Sequence, residues 1–245
     1  MSRQITAHML PTLFEPQDLR GGIAVVIDVL RATTTLAHGF QNGMAAMFPC
    51  ETIEDAIAYR DEHGPEILLG GERGGEPIEG FDLSNSPHEW NRDTVGGRTV
   101  AFTTSNGTRA LLRSAEADRV VTGSFANLSA VVRFLKSSDL PVHLVCAGTN
   151  GHIATEDVVF AGAVIERLAA RSTVDLNDSA YIARNHWRVT EMEPDAPLKT
   201  LATGIGGQNV LRLKLEADMR VAATIDRVDL VPEFSPQSRL LRPAE

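Results

Sequence analysis

Ala24-Val25-Val26-Ile27-Asp28-Val29-Leu30-Arg31-Ala32-Thr33-Thr34-Thr35 is the stretch whose reading decides the fold. Four apolar residues read as a buried strand, and the acid, arginine and threonines after them read as a polar loop that opens a helix. The device recurs twice. Thr99-Val100-Ala101-Phe102 runs into Thr103-Thr104-Ser105-Asn106-Gly107-Thr108-Arg109, and Val142-His143-Leu144-Val145-Cys146 runs into Ala147-Gly148-Thr149-Asn150-Gly151 and on to Thr155-Glu156-Asp157. Each such loop turns the free N–H groups of a helix start, together with hydroxyls, toward whatever lies beyond the strand end. Any one of them also reads as an ordinary helix cap. Three together predict an α/β protein, a layered α/β/α arrangement with a largely parallel or mixed sheet and an oxyanion site along its edge.

Working outward, Thr33 to Gln41 reads as a helix stopped by Asn42-Gly43. Ala45 to Phe48 and Glu66 to Leu69 read as short strands, with a helix between them from a Thr52 cap to about His63. Gly70 to Trp90 fits neither period, and a long segment of that kind inside a compact domain is often functional. Arg119 to Thr122 reads as a strand. Helices are expected from Asn127 to Lys136, Glu156 to Ala170, Asp178 to Trp187 and Pro194 to Ala202. Gly204 to Gly207 reads as a break, and Leu211 to Leu215 as a helix end. Val221 to Ile225 and Val228 to Val231 read as late strands, and Ser235 to Glu245 as a tail. The comparable units near Ala24–Gly43 and Thr99–Ala115 raise an internal duplication.

The 245 residues, 43% apolar and 22% charged, suit one large domain or two closely packed ones. A net charge of −9 argues against nucleic acid and against an anionic membrane surface as partners. An anionic ligand therefore needs placed arginines or a metal ion. No apolar run is long enough for a transmembrane helix, and the first residues lack the apolar core of a signal peptide. Cys50 and Cys146 are isolated, which speaks against a disulfide or zinc framework. A cytoplasmic protein is expected, and a homo-oligomer is compatible with the sequence.

Asp28, at a buried strand end, can ligate Mg²⁺ or act as a nucleophile; the plainer alternative is a cap of the next helix. Arg31 offers a planar fork for phosphate, sulfonate or carboxylate, against a surface ion pair. Gly70-Gly71-Glu72-Arg73-Gly74-Gly75-Glu76 sets acids and an arginine between glycines that let backbone approach a ligand. Gly80-Phe81-Asp82-Leu83-Ser84-Asn85-Ser86-Pro87 adds a further acid. The loop from Thr103 to Arg109 has no acid and suits an anion. Glu156-Asp157 at a helix start also favours the helix dipole without any function. Several phosphate chemistries are excluded: there is no G-x-x-x-x-G-K-[ST], Leu30 stands where a D-x-D-x-T motif needs its second aspartate, and His152 rather than arginine follows Cys146 by six residues.

These blocks, from Val25–Thr35 through Leu69–Gly75, Gly80–Pro87 and Thr103–Ala110 to Cys146-Ala147-Gly148 with Glu156-Asp157, resemble the 2-phosphosulfolactate phosphatase family. Ser84 and Ser105 stand where the family pattern leads one to expect Gly and Asn. The resemblance implies a Mg²⁺-dependent phosphatase that converts 2-phospho-3-sulfolactate to 3-sulfolactate, a step of coenzyme M biosynthesis. It also implies a fold of two similar halves, so residues 1–245 form one phosphatase-like unit or two packed subdomains. The expected assignment is Asp28, Arg31 and Asp82 at the reacting phosphoryl group. Thr33, Thr34, Arg73, Asn85, Thr104, Asn106, Gly107, Thr108 and Arg109 would bind the small anionic substrate, and Asp28, Glu72 and Asp157 the Mg²⁺. A non-catalytic anion-binding module and a phosphotransferase remain as alternatives.

Overall fold

The computed structural model describes residues 2–170, 173–192 and 195–244. The strand–loop–helix device recurs where the apolar runs place it. After β1 (Arg3–His8), β2 (Ile23–Ile27) is buried along its whole length, as a run without polar alternation requires, and leads into α1 (Ala32–Gln41). β3 (Ala46–Pro49) precedes α2 (Ile53–His63). Thr52 caps α2 reciprocally with Asp55, and Gly64 ends it. β4 (Leu68–Arg73) runs through Gly70-Gly71 and turns at Gly74-Gly75 into β5 (Glu76–Pro77), so the glycine-rich segment begins as a strand. Next come α3 (Arg92–Val95), β6 (Thr99–Thr103), α4 (Gly107–Arg113), β7 (Arg119–Gly123), α5 (Leu128–Lys136) and β8 (Val142–Cys146). α6 (Thr155–Ala169), β9 (Val174–Leu176) and α7 (Asp178–Glu191) follow. α8 (Ala196–Thr203), α9 (Ile205–Arg212) and α10 (Glu216–Ala222) lead to a final hairpin of β10 (Pro232–Ser235) and β11 (Leu240–Pro243).

Among the described residues eleven strands join one sheet in the order β5-β4-β6-β3-β11-β10-β7-β2-β8-β1-β9. β4, β6 and β3 form one parallel block, and β7, β2, β8, β1 and β9 form another. The antiparallel hairpin β10–β11 joins the two blocks. Alternating side chains assign the layers. Val25 and Ile27 of β2 point into a core shared with α5, α6 and α7. Ala24 and Val26 face Val100 and Phe102 of β6 across Leu36 and Phe40 of α1 and Ala110 and Leu111 of α4. The far side of the smaller block is covered by α2 through Ala56, packed with Leu69 and Ala101. Helices α1 and α4 are thus held between two sheet surfaces, which brings the ends of β2 and β6 together.

The mixed, layered α/β class is borne out; the C-terminal part differs from expectation in three places. The break expected over Gly204–Gly207 is confined to Gly204, which ends α8 and opens α9 at Ile205, so that Gly206 and Gly207 lie inside α9. A Cβ on Gly206 would stand 1.9 Å from a carboxylate oxygen of Glu156, so close packing rather than helix propensity selects glycine there. Val221 belongs to α10, and Val228 fills a small cluster with Ala37 and Ala126 instead of a strand. The expected tail supplies the turn and second strand of the hairpin at the middle of the sheet, where Leu241 of β11 pairs with Phe234 of β10 and both are buried. Pro194, the expected start of α8, and Glu245, the last residue of the expected tail, lie outside the described residues.

Candidate active site

The C-terminal ends of β2, β4, β6 and β8 converge on a small cleft that α9 closes from the other side. Asp28 sits at its floor, 7% exposed. One carboxylate oxygen, Oδ1, accepts the Ala32 N–H at 3.2 Å, and the Asp28 carbonyl accepts the Thr33 N–H at 2.9 Å, so the acid takes up a free N–H at the start of α1 although Arg31 holds the cap position. Its other oxygen faces the start of α4. A Cβ on Gly107 would meet Asp28 Oδ2 at 2.6 Å, and that missing side chain lets the two loops close on one another.

Glu72, on β4, accepts the Ser105 N–H at 2.7 Å on Oε1 and the Gly75 N–H at 2.6 Å on Oε2. It thereby ties the β4–β5 turn to the loop after β6. Asp157, in the first turn of α6, accepts from Val29 N at 2.9 Å and Gly148 N at 3.0 Å, which joins the loops after β2 and β8. Glu156 beside it is buried, and among the described residues its Oε2 has no hydrogen-bond partner. The amide oxygen of Asn85, which lines the cleft, is likewise unpartnered.

Three of these buried acids, Asp28, Glu156 and Asp157, resist ionisation. Burial, and then the charge of Glu72, lift Asp28 to about 7. Burial lifts Glu156 to about 7 as well. Asp157 is pushed well above the usual carboxylate range, first by burial and then by Asp28 and Glu156. Arg31 lowers Asp28 again, but it is the weakest of the influences on that acid. Arg31 lines the cleft, but its Nη1 pairs with Asp218 Oδ2 at 2.7 Å and its Nη2 donates to the Gly75 carbonyl at 2.6 Å. An all-oxygen donor set with uncompensated negative charge fits a hard divalent cation. Among the described residues no three acidic, histidine or cysteine side chains form a ready-made metal cage. Mg²⁺ does not need one, since it commonly takes one or two carboxylates and completes its shell with water and substrate phosphate.

Of the residues expected from the sequence, Asp28, Arg31, Glu72, Asn85 and Asn106 line the cleft. The others do not. Thr33 donates to the Asp28 and Gly123 carbonyls, Thr34 to the Val29 carbonyl, and Thr104 and Thr108 cap each other. These hydroxyls hold the loops in shape. Asp82 is exposed and accepts from Leu69 N at 2.8 Å and Arg60 at 3.3 Å, away from the cleft. The three arginines are not gathered. Arg73 is held by the Glu72 and Glu51 carbonyls and by Thr103 Oγ1. Arg109 is exposed on a neighbouring cleft that shares the Ser105–Asn106 wall, and no ion pair among the described residues engages it. Sequence reasoning missed Gly206, Asn209, Val210 and Leu213, which α9 and its end bring to the cleft, and Asp218 behind Arg31. None carries a local mark; only the oddity of two glycines in succession marks this region.

No helix among the described residues is long and apolar enough to cross a membrane. A family model described as 2-phosphosulpholactate phosphatase matches residues 8–237. A protein of Symbiobacterium thermophilum named probable 2-phosphosulfolactate phosphatase is 40% identical over 222 residues, 89% of this chain and 94% of that one. Proteins of the same name from Clostridium perfringens and Thermotoga petrophila are 36% and 39% identical, over 90% and 85% of this chain and 89% and 87% of theirs. Matches of this length take in every strand end that reaches the cleft, and by them the chain belongs to the 2-phosphosulpholactate phosphatase family.

Proposed function

We propose that the protein hydrolyses 2-phospho-3-sulfolactate, or a closely related phosphorylated hydroxy acid, to the free hydroxy acid and phosphate with the help of Mg²⁺. The observation that carries the reading is Asp28, a buried acid at the meeting point of four strand ends, in a chain whose relatives bear the name of that phosphatase. In the reaction the oxygen of water ends on phosphorus, the bond between phosphorus and the C2 oxygen breaks, and that oxygen leaves with a proton. Mg²⁺ would be held chiefly by Asp28, with Glu72 as the second acid of the cleft, and would offset the charge of the transferring phosphoryl group; Asp157, expected from the sequence as a third, is taken up by the Val29 and Gly148 N–H groups outside the cleft.

The chain's own residues do the rest. Arg31 meets the phosphoryl oxygens from the side of the cleft, with Asn85 and Asn106 as neutral donors. Asp28 acts in ionised form, as nucleophile or as anchor for the cation, and positive charge beside it favours that form. Rapid-quench labelling separates the two roles, because only a nucleophile leaves phosphate on the protein. The deciding experiment is phosphate release from 2-phosphosulfolactate with Mg²⁺ and with EDTA. Release that depends on Mg²⁺ supports the reading. Binding without release over a panel of phosphorylated hydroxy acids would make the chain an anion-binding module, and transfer to an added alcohol would make it a phosphotransferase.

A further inference from the structure

Arg31 and Asp218 lie 187 residues apart in sequence, yet they form a buried ion pair with only 5% and 2% of their side chains exposed. Asp218 stands on α10, outside the cleft, and uses both oxygens. Oδ2 takes the Arg31 fork, while Oδ1 accepts the Ser86 hydroxyl at 2.7 Å, with the exposed His88 ring 4.0 Å away. A carboxylate held at one oxygen by a second group cannot rotate freely, so the plane it offers the guanidinium is set. The Gly75 carbonyl holds the other terminal nitrogen of Arg31. Two of the five N–H groups of the fork are thereby used, and Arg31 so held still lines the cleft.

A lone arginine in this cleft would have a different partner. Asp28 and Glu72 line the same cleft, and Arg31 already feels the charge of Asp28. An arginine drawn onto those acids would cover the groups that must meet phosphate and metal. A charge on α10 competes for the fork and keeps it at the wall. The geometry points to Asp218 as the positioning residue for Arg31, with Ser86 orienting Asp218, so that a helix remote in sequence aims the phosphoryl-binding fork. This rests on the phosphatase reading above, in which Arg31 meets the phosphoryl group.

The test is a double-mutant cycle on the full chain, with Asp218→Asn, Arg31→Met and the pair, read as kcat and KM for phosphosulfolactate and as binding of inorganic phosphate by calorimetry. Asp218→Asn is expected to lower kcat/KM about ten- to hundredfold and to weaken phosphate binding in the parent background. In the Arg31→Met background it should change either quantity by less than about twofold, because nothing is left to aim. A structural role would show the same loss in both backgrounds, and that result, or a parent-like Asp218→Asn, overturns the inference. Should Asp218→Asn fail to fold, Ser86→Ala removes only one bond to Asp218. It is expected to cost about threefold, again only when Arg31 is present. A parent that binds phosphate but turns over no ester refutes the phosphatase reading, while the calorimetric cycle still decides the role of Asp218.

Discussion

The floor and the roof of the cleft are built on different principles. The floor consists of strand ends whose loops carry Asp28, Glu72, Ser105-Asn106 and Thr149-Asn150, each displayed by the residues immediately around it. The roof consists of α9 and α10, which bring Gly206, Asn209, Val210 and Leu213 to the cleft and Asp218 to Arg31 through packing on α6 and the large core. The groups displayed on the cleft floor are local products of the sequence, whereas those of the roof and behind Arg31 are products of the tertiary fold.

The sharpest way to break this contrast is at the floor. Asp28→Asn keeps the shape of the side chain and should lower kcat by about 10²–10⁴ while leaving the circular dichroism spectrum unchanged. Retained turnover would remove Asp28 from the mechanism. Arg31→Lys keeps the charge but loses the fork, and a loss of about ten- to hundredfold in kcat/KM is expected, expressed mainly in kcat. The other two arginines should separate. Arg109→Lys, exposed beside the shared wall, should raise KM about two- to fivefold and leave kcat alone, as exposed pairs contribute little. Arg73→Lys should lower the melting temperature with little change in kcat, since all its bonds are to the protein's own carbonyls and to Thr103.

The smallest effect is one of stability. Asp28 and Glu156 hold their protons up to about 7 in the folded chain, well above an unfolded carboxyl. The native state therefore binds more protons than the unfolded state between about pH 4 and 7, and stability falls as pH rises across that window. Metal-free protein should accordingly melt higher at pH 5 than at pH 8. Mg²⁺ should recover part of the difference at pH 8, and Glu156→Gln should flatten the profile. A pH-independent melting temperature in Glu156→Gln and parent alike would show that these acids are not the strained group.

Legibility in the sequence follows the same division. β8 occupies the run read for it, and α1, α2, α5 and α6 begin within a residue of their expected starts, because their caps and apolar faces are local signals. The cleft residues on those loops were likewise readable. Thr33, Thr34, Thr104 and Thr108 resemble ligand donors in sequence, but nearby backbone takes them first: Thr33 and Thr34 donate to carbonyls, and Thr104 and Thr108 bond one another and accept each other's backbone N–H. β1 lacks a turn signal of its own and is recognisable only as the partner of β8 and β9. Asp218 is one acid among those of a short helix, and nothing near it points to an arginine 187 positions away.

The hairpin formed by β10 and β11 has a consequence for how the molecule is made. It pairs with β7 on one side and β3 on the other, so the two parallel blocks do not share a hydrogen bond of the sheet until residues 232–243 are in place. During synthesis residues 232–243 must emerge from the ribosome before the closing strands can dock. Until then β3 and β7 both present open edges to other nascent chains, the kind of surface that invites aggregation and chaperone capture. A chain stopped at Val231 would keep both halves of the cleft's wall in its sequence and lack the piece that seams them into one sheet.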